Sequence, residues 1–233
     1  MTVLAVIPAR GGSKGIPRKN LLPIGGRPLI AWTIAQALEA GDDVHVAVST
    51  EDEEIAEVAR RYGAHVIERP AELAEDTTPT EPVIVHAMDV AEAAGMELEA
   101  VMLLQATSPV RRPETIRRAI EKFRADGADS LVAVVPESPF FWRPPATPGE
   151  SASAHYDWSR RPRRQELTPD QMFYFENGSL YVTKPELYRE TMNRLGGKIS
   201  LFMLEEVEGV DIDTVADVAA AEQMLARIGW TLS

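Results

Sequence analysis

Residues 5–22, AVIPARGGSKGIPRKNLL, decide how this chain is read. An apolar run breaks into a glycine-rich loop carrying Arg10, Lys14, Arg18 and Lys19, and no acidic residue precedes Glu39. The whole chain of 233 residues has a formal charge of −12, so these cations are a local concentration and not a general basicity. A loop of small residues directly after a buried strand lets backbone N–H groups approach phosphate oxygens, while the cations offset their charge. The spacing satisfies neither GxxxxGK[ST] nor GxGxxG. By itself the loop therefore stays open between a polyphosphate cradle and a structural turn.

Outward from that loop, short apolar runs alternate with helical patterns. Residues 3–8 read as a buried strand and 28–40 as a helix, with Gly25–Gly26 as its entry turn and Pro28 at its first position. Strands are expected at 44–49, 65–67, 100–105, 130–135, 179–183 and 199–204. Helices are expected from Thr50 or Glu51 to Tyr62, and over 81–95, 113–125 and 215–228. This alternation predicts an α/β fold: a doubly wound, mostly parallel sheet with helices on both faces and ligands at the carboxyl ends of the strands. One domain spanning 1–233 is expected. Its rhythm fails at about 136–175, where seven prolines and eight of the fifteen aromatic residues gather. So many large rings in an irregular segment predict an insertion that packs on its own domain or on a partner subunit.

Composition narrows the function. There is no cysteine, which excludes disulfides, thiol nucleophiles and cysteine metal ligands and suits a reducing cytoplasm. The opening MTVLAVIPAR lacks a basic n-region, so no signal peptide is expected, and no apolar run approaches the roughly 20 residues of a membrane span. The acidic balance argues against a nucleic-acid partner. A small phosphorylated ligand in a local basic pocket fits better.

Three further features bear on chemistry. On an extended segment Asp211 and Asp213 share a face while Ile212 packs inward, and two hard oxygen ligands suit Mg²⁺. The same residues read equally as a cap, from Asp213 or Thr214, for the final helix. Arg163-Arg164-Gln165-Glu166 offers either bidentate binding of a carboxylate or a solvated surface run. Gln105 closes the strand AVMLLQ, where an amide both donates and accepts.

In this order, IPARGGSKGIPRKN (7–20), RPAELAEDTTPT (69–80), LLQATSPVR (103–111), RRQEL (163–167), ENGSLYV (176–182) and VDIDTVADVAAAE (210–222) resemble the N-acylneuraminate cytidylyltransferase family. The resemblance implies a Rossmann-like nucleotidyltransferase in which the anomeric hydroxyl of a sialic-acid-like 2-keto acid sugar attacks the α-phosphate of CTP, releasing pyrophosphate. On that reading Arg10, Gly12, Ser13, Lys14, Lys19 and Asn20 hold the triphosphate, and Arg69 and Thr80 lie near the nucleotide. Gln105, Arg164, Gln165 and Phe175 form the sugar pocket. Asp211 and Asp213 hold Mg²⁺, and Arg10, Lys19 and Asp211 act in catalysis, Asp211 assisting deprotonation of the hydroxyl. The insertion is implied to build a homodimer and to close over the neighbouring subunit's site.

Departures cluster on the sugar side. The family's RRQD appears as RRQEL and its QPTSP as QATSP, and 139–160 matches no family pattern. The acceptor is therefore open among sialic, legionaminic, pseudaminic and deaminated acids. The alternative is a nucleotidyltransferase of the same fold with another keto-acid or phosphonate acceptor, or a guanylyl donor.

Overall fold

The computed structural model describes residues 2–13 and 15–230. From the N-terminus, β1 (Thr2–Pro8) leads through the glycine-rich loop to a small hairpin, β2 (Pro23–Ile24) and β3 (Arg27–Pro28), and then to α1 (Leu29–Leu38). β4 (Val44–Thr50), α2 (Glu53–Arg61), β5 (His65–Glu68) and α3 (Thr80–Ala93) follow. Next come β6 (Leu98–Leu104), α4 (Thr115–Asp126) and β7 (Ser130–Glu137). The insertion carries two-residue strands β8 (Trp142–Arg143) and β9 (Ser153–Ala154). Beyond it lie β10 (Phe173–Thr183), α5 (Pro185–Thr191), β11 (Ile199–Met203) and α6 (Val215–Arg227).

Seven strands make one sheet in the order β11-β7-β10-β6-β1-β4-β5. All neighbours are parallel except β10, which runs antiparallel to β6 and β7. The expected doubly wound, mostly parallel α/β sheet is present. Its cause is visible in β1, where Val3 to Ile7 are all fully buried. Val3, Ala5 and Ile7 pack with apolar residues of α1, α2 and α4, while Leu4 and Val6 pack with Ile84, Ala87 and Met88 of α3 and Tyr188 of α5. A strand covered on both sides needs a continuous apolar run, not an alternating one.

The chain leaves β1 for β4 and β5, then returns through α3 to β6 on the other side of β1. Loops after β1 and β6 therefore diverge at a topological switch point, where doubly wound sheets bind ligands. A third apolar cluster joins Ile16, Leu29, Trp32, Val110, Ile212 and Leu225, so α6 brings the 210–214 segment to this same end.

Three local expectations change. Gly25 (φ +57°) and Gly26 (φ +80°) form the two-residue turn of the β2–β3 hairpin, and Pro28 precedes α1 instead of opening it. β10 is eleven residues long and starts inside the segment expected to be irregular. α5, with Pro185 at its first position, has no counterpart in the sequence reading. Within the insertion, Phe140–Tyr156, Trp142–Tyr156 and Phe141–Phe173 meet edge to face, and Arg161 lies 4.1 Å over the Phe140 ring.

Candidate active site

Arg10, Ser13, Lys19, Asn20, Arg69, Thr80, Gln105 and Asp213 line one cleft of about 470 Å³ at the carboxyl ends of β1 and β6. That volume suits a small ligand.

On the loop side, the Arg10 guanidinium donates to the Glu75 carbonyl (3.2 Å) and pairs with Asp76 Oδ1 (3.0 Å). Lys19 Nζ donates to the Ile212 carbonyl (2.7 Å) and to Asp213 Oδ1 (3.2 Å). Buried Asn20 donates through Nδ2 to the Arg10 carbonyl (3.1 Å), bracing the loop from within. A Cβ on Gly15 would lie 2.9 Å from the Asp213 carbonyl, so the loop passes the 210–214 segment at a distance only glycine allows. Arg18 differs from its neighbour. Its backbone is left-handed (φ +57°), and its guanidinium binds Asp52 and Glu54 (2.7 Å) at the start of α2. It latches the loop and does not line the cleft. Gly12 is exposed and also lies off the cleft lining, and Lys14 lies outside the described residues.

Arg69 forms the deep wall and is 6% exposed. It donates to the Ser49 hydroxyl (3.3 Å) and carbonyl (2.6 Å), with Glu51 Oε2 at 3.9 Å. Burial lowers its pKa below the usual arginine value; Glu51 opposes the shift and Arg10 adds to it. Glu51 Oε1 also accepts from the Gly11 N–H (2.7 Å), linking this wall to the loop. Thr80 opens α3, whose first turn has no side-chain cap.

Opposite stands Gln105. Its Oε1 would lie 2.7 Å from a Cβ on Gly178 (φ +79°), so the amide rests directly on β10. In the 211–213 segment Ile212 is buried as expected, its N–H donates to the Thr107 carbonyl (2.8 Å), and Asp213 lines the cleft. Asp211 is not among the cleft-lining residues and accepts from the Ser108 hydroxyl (3.2 Å). Thr214 is the cap of α6, with Asp217 accepting from the Asp213 and Thr214 N–H groups (3.0 and 2.7 Å). The capping and cleft readings are thus divided between neighbouring residues. The second carboxylate oxygens of Asp211 and Asp213 meet no donor among the described residues. This donor set fits Mg²⁺, which takes one or two carboxylates plus substrate phosphates. No group of three His, Asp or Glu among the described residues makes a metal cage by itself.

Arg164, Gln165 and Phe175 are not brought to this cleft. All three are exposed, Phe175 to 60%, on the insertion side of the molecule. Sequence reasoning also passed over Thr107, Asp76 and Arg111. All three sit in quoted motifs, and their roles depend on contacts across the fold that spacing does not encode.

A cytidylyltransferase family model matches residues 4–144. N-acylneuraminate cytidylyltransferase A of Danio rerio is 35% identical over 98% of this chain, which spans about half (52%) of that protein's length. CMP-N,N'-diacetyllegionaminic acid synthase of Legionella pneumophila is 34% identical, with 97% of each chain covered. Among solved structures, CMP:2-keto-3-deoxy-manno-octonic acid synthetase complexed with CTP superposes with a TM-score of 0.70 at 19% identity, covering 97% of this chain and 99% of the other, a likeness of fold. The matched segment holds the glycine-rich loop, Arg69 and Gln105, and the full-length similarity takes in the Asp211–Asp213 pair. This chain belongs to the cytidylyltransferase family, beside the N-acylneuraminate cytidylyltransferases.

Proposed function

We propose that the chain transfers CMP from CTP to the anomeric hydroxyl of a sialic-acid-like 2-keto acid sugar. The hydroxyl oxygen bonds to the α-phosphorus, the bond to the leaving pyrophosphate breaks, and the hydroxyl proton is lost. The observation that carries this reading is the meeting of Lys19 with Asp213 in a cleft whose far wall is Gln105. Arg10 and Lys19 face the triphosphate, where fixed cations stabilise charge on the departing pyrophosphate. Arg69 and Thr80 bound the nucleoside, and Gln105 orients the acceptor.

Asp211 and Asp213 are assigned to Mg²⁺, which when bound would neutralise phosphate charge and acidify the attacking hydroxyl. Asp211, held by Ser108, is assigned to the hydroxyl proton. The active form is proposed to be a cytoplasmic homodimer. Support comes from rings exposed on and beside the insertion, Trp142 (52%) and Trp158 (67%) among them, and from the exposure of Arg164, Gln165 and Phe175 outside their own chain's cleft. No helix among the described residues is long and apolar enough to cross a membrane.

The test is pyrophosphate release with Mg²⁺, first across CTP, GTP, UTP and ATP. The acceptor panel is then N-acetylneuraminate, its deaminated analogue, legionaminate, pseudaminate, 3-deoxy-manno-octulosonate and a simple phosphonate. CTP-specific turnover with one nonulosonate is the expected result. Turnover with another nucleotide, or with the phosphonate alone, would replace the assignment.

A further inference from the structure

Arg111 is fully buried, yet no carboxylate lies within ion-pair distance of it among the described residues. One arm of its guanidinium donates to Thr33 Oγ1 (3.2 Å) and Gln36 Oε1 (3.1 Å) on α1. The other donates to the carbonyls of Gln105 (3.1 Å) and Ser179 (2.6 Å). Burial lowers its pKa to about 10, against the pull of Glu208 and Asp211, so it remains a cation at neutral pH. A cation removed from water and met only by neutral oxygens is costly, and a packed apolar side chain would serve stability as well. The position of those oxygens suggests what the cost secures.

Gln105 and Ser179 stand where β6 ends and where β10 loses regular register with β7, between Glu176 and Tyr181. The Ser179 carbonyl also accepts from the Gln105 N–H (3.4 Å), and the Gln105 carbonyl from the Ser108 N–H (3.3 Å). One planar fork therefore ties α1, the end of β6 and the irregular stretch of β10 together. The Gln105 side chain rests on Gly178 within that stretch. A lysine ammonium has the charge but not the two-armed plane.

We propose that Arg111 is a positioning residue that aims the Gln105 amide at the acceptor by clamping the backbone of β6 to that of β10. The proposal rests on the cytidylyl-transfer reading, and its test separates the two. Hydrogen–deuterium exchange without substrate reads the clamp alone. Arg111→Met is expected to speed amide exchange over 104–109 and 177–181 while leaving the β1 amides unchanged. Steady-state kinetics read the consequence: acceptor KM rises about tenfold or more while CTP affinity holds within about twofold. Because Arg111 acts through Gln105, Arg111→Met added to Gln105→Ala raises acceptor KM no further. Arg111→Lys and Thr33→Val weaken the same fork more gently and carry the comparison if Arg111→Met does not fold.

Unchanged exchange in a folded variant overturns the clamp. Additive effects with Gln105→Ala, or equal losses for CTP and acceptor, overturn the positioning role. If wild-type protein turns over no acceptor, the functional reading falls and exchange still decides the clamp.

Discussion

The Lys19 ammonium lies 2.7 Å from the Ile212 carbonyl and 3.2 Å from Asp213 Oδ1, joining the loop after the first strand to the segment before the last helix. The contact spans nearly the whole chain. It depends on Gly15, which lets the loop approach, and on Ile212, whose burial holds the two aspartates on either side of it. A cation and a carboxylate therefore share one corner of the cleft, the pair that the proposed function assigns to phosphate and to metal.

Lys19→Ala is expected to lower pyrophosphate release by on the order of 10²-fold or more, since a fixed cation facing developing charge contributes at that scale. Stability should fall by only about 1–2 kcal/mol, because the ion pair to exposed Asp213 contributes little while the bond to the Ile212 carbonyl is part-buried. Turnover and urea denaturation on the same preparation check this. A large stability loss with normal turnover would make Lys19 a structural residue.

Ser108 touches the proposed metal site only through Asp211. Ser108→Ala should raise the Mg²⁺ concentration for half-maximal activity by about tenfold, the usual cost of losing a residue that orients a ligand. Asp211→Ala should remove the Mg²⁺ response. An unchanged magnesium titration in both variants would move the metal away from this pair.

How far the sequence revealed this arrangement depends on how local each signal was. The run VLAVIP announces a strand buried on both faces, and the glycine-rich loop shows where the cations gather, because both signals are contiguous. β10 is obscured because Asn177-Gly178 interrupts its aromatic run, and α5 because seven residues carry too little periodicity. Arg18 and Lys19 look alike in sequence but separate in space. The left-handed backbone at Arg18 turns its side chain to α2 and leaves Lys19 to the cleft. Arg111 ends the motif LLQATSPVR, and no local signal marks it as a buried cation. Asp76, the ion-pair partner of Arg10, likewise emerges only from long-range packing.

At the opposite end of the sheet, Arg124 bridges Asp43 (2.7 Å) and Glu99 (2.6 Å). Hydrogen bonds from Arg124 hold both carboxyls below their ordinary values of 3.8 and 4.5. Carboxyls depressed in the folded state contribute stability that is complete above their unfolded pKa values and is lost as pH falls through the folded ones. Arg124→Met should therefore cost roughly 0.5–1 kcal/mol at pH 7, an amount kept small by partial exposure and salt screening. The difference from wild type should begin to shrink as the pH falls past the ordinary values of 3.8 and 4.5, and vanish once it is below the lowered folded ones, where both carboxyls are protonated. Urea denaturation at the two pH values measures it, and a difference independent of pH would assign the effect to packing of the arginine stem.

Arg164 lies outside the cleft of its own chain, so the dimer proposal places it in the cleft of the partner. That assignment has a consequence no single-chain role shares. Lys19→Ala and Arg164→Ala should each be nearly inactive alone. In a mixed dimer, one cleft combines both defects, while the other receives an intact Lys19 from one chain and an intact Arg164 from its partner. Random exchange of equal amounts makes half the dimers mixed, each with one competent cleft, so about a quarter of wild-type activity should return. Subunits are exchanged by mild denaturation and refolding, with sedimentation velocity confirming dimers and each variant treated alone as the control. Recovery near a quarter places Arg164 in the neighbouring cleft. No recovery in confirmed mixed dimers would mean that Arg164 serves its own chain, by a movement of the insertion onto the Gln105 wall.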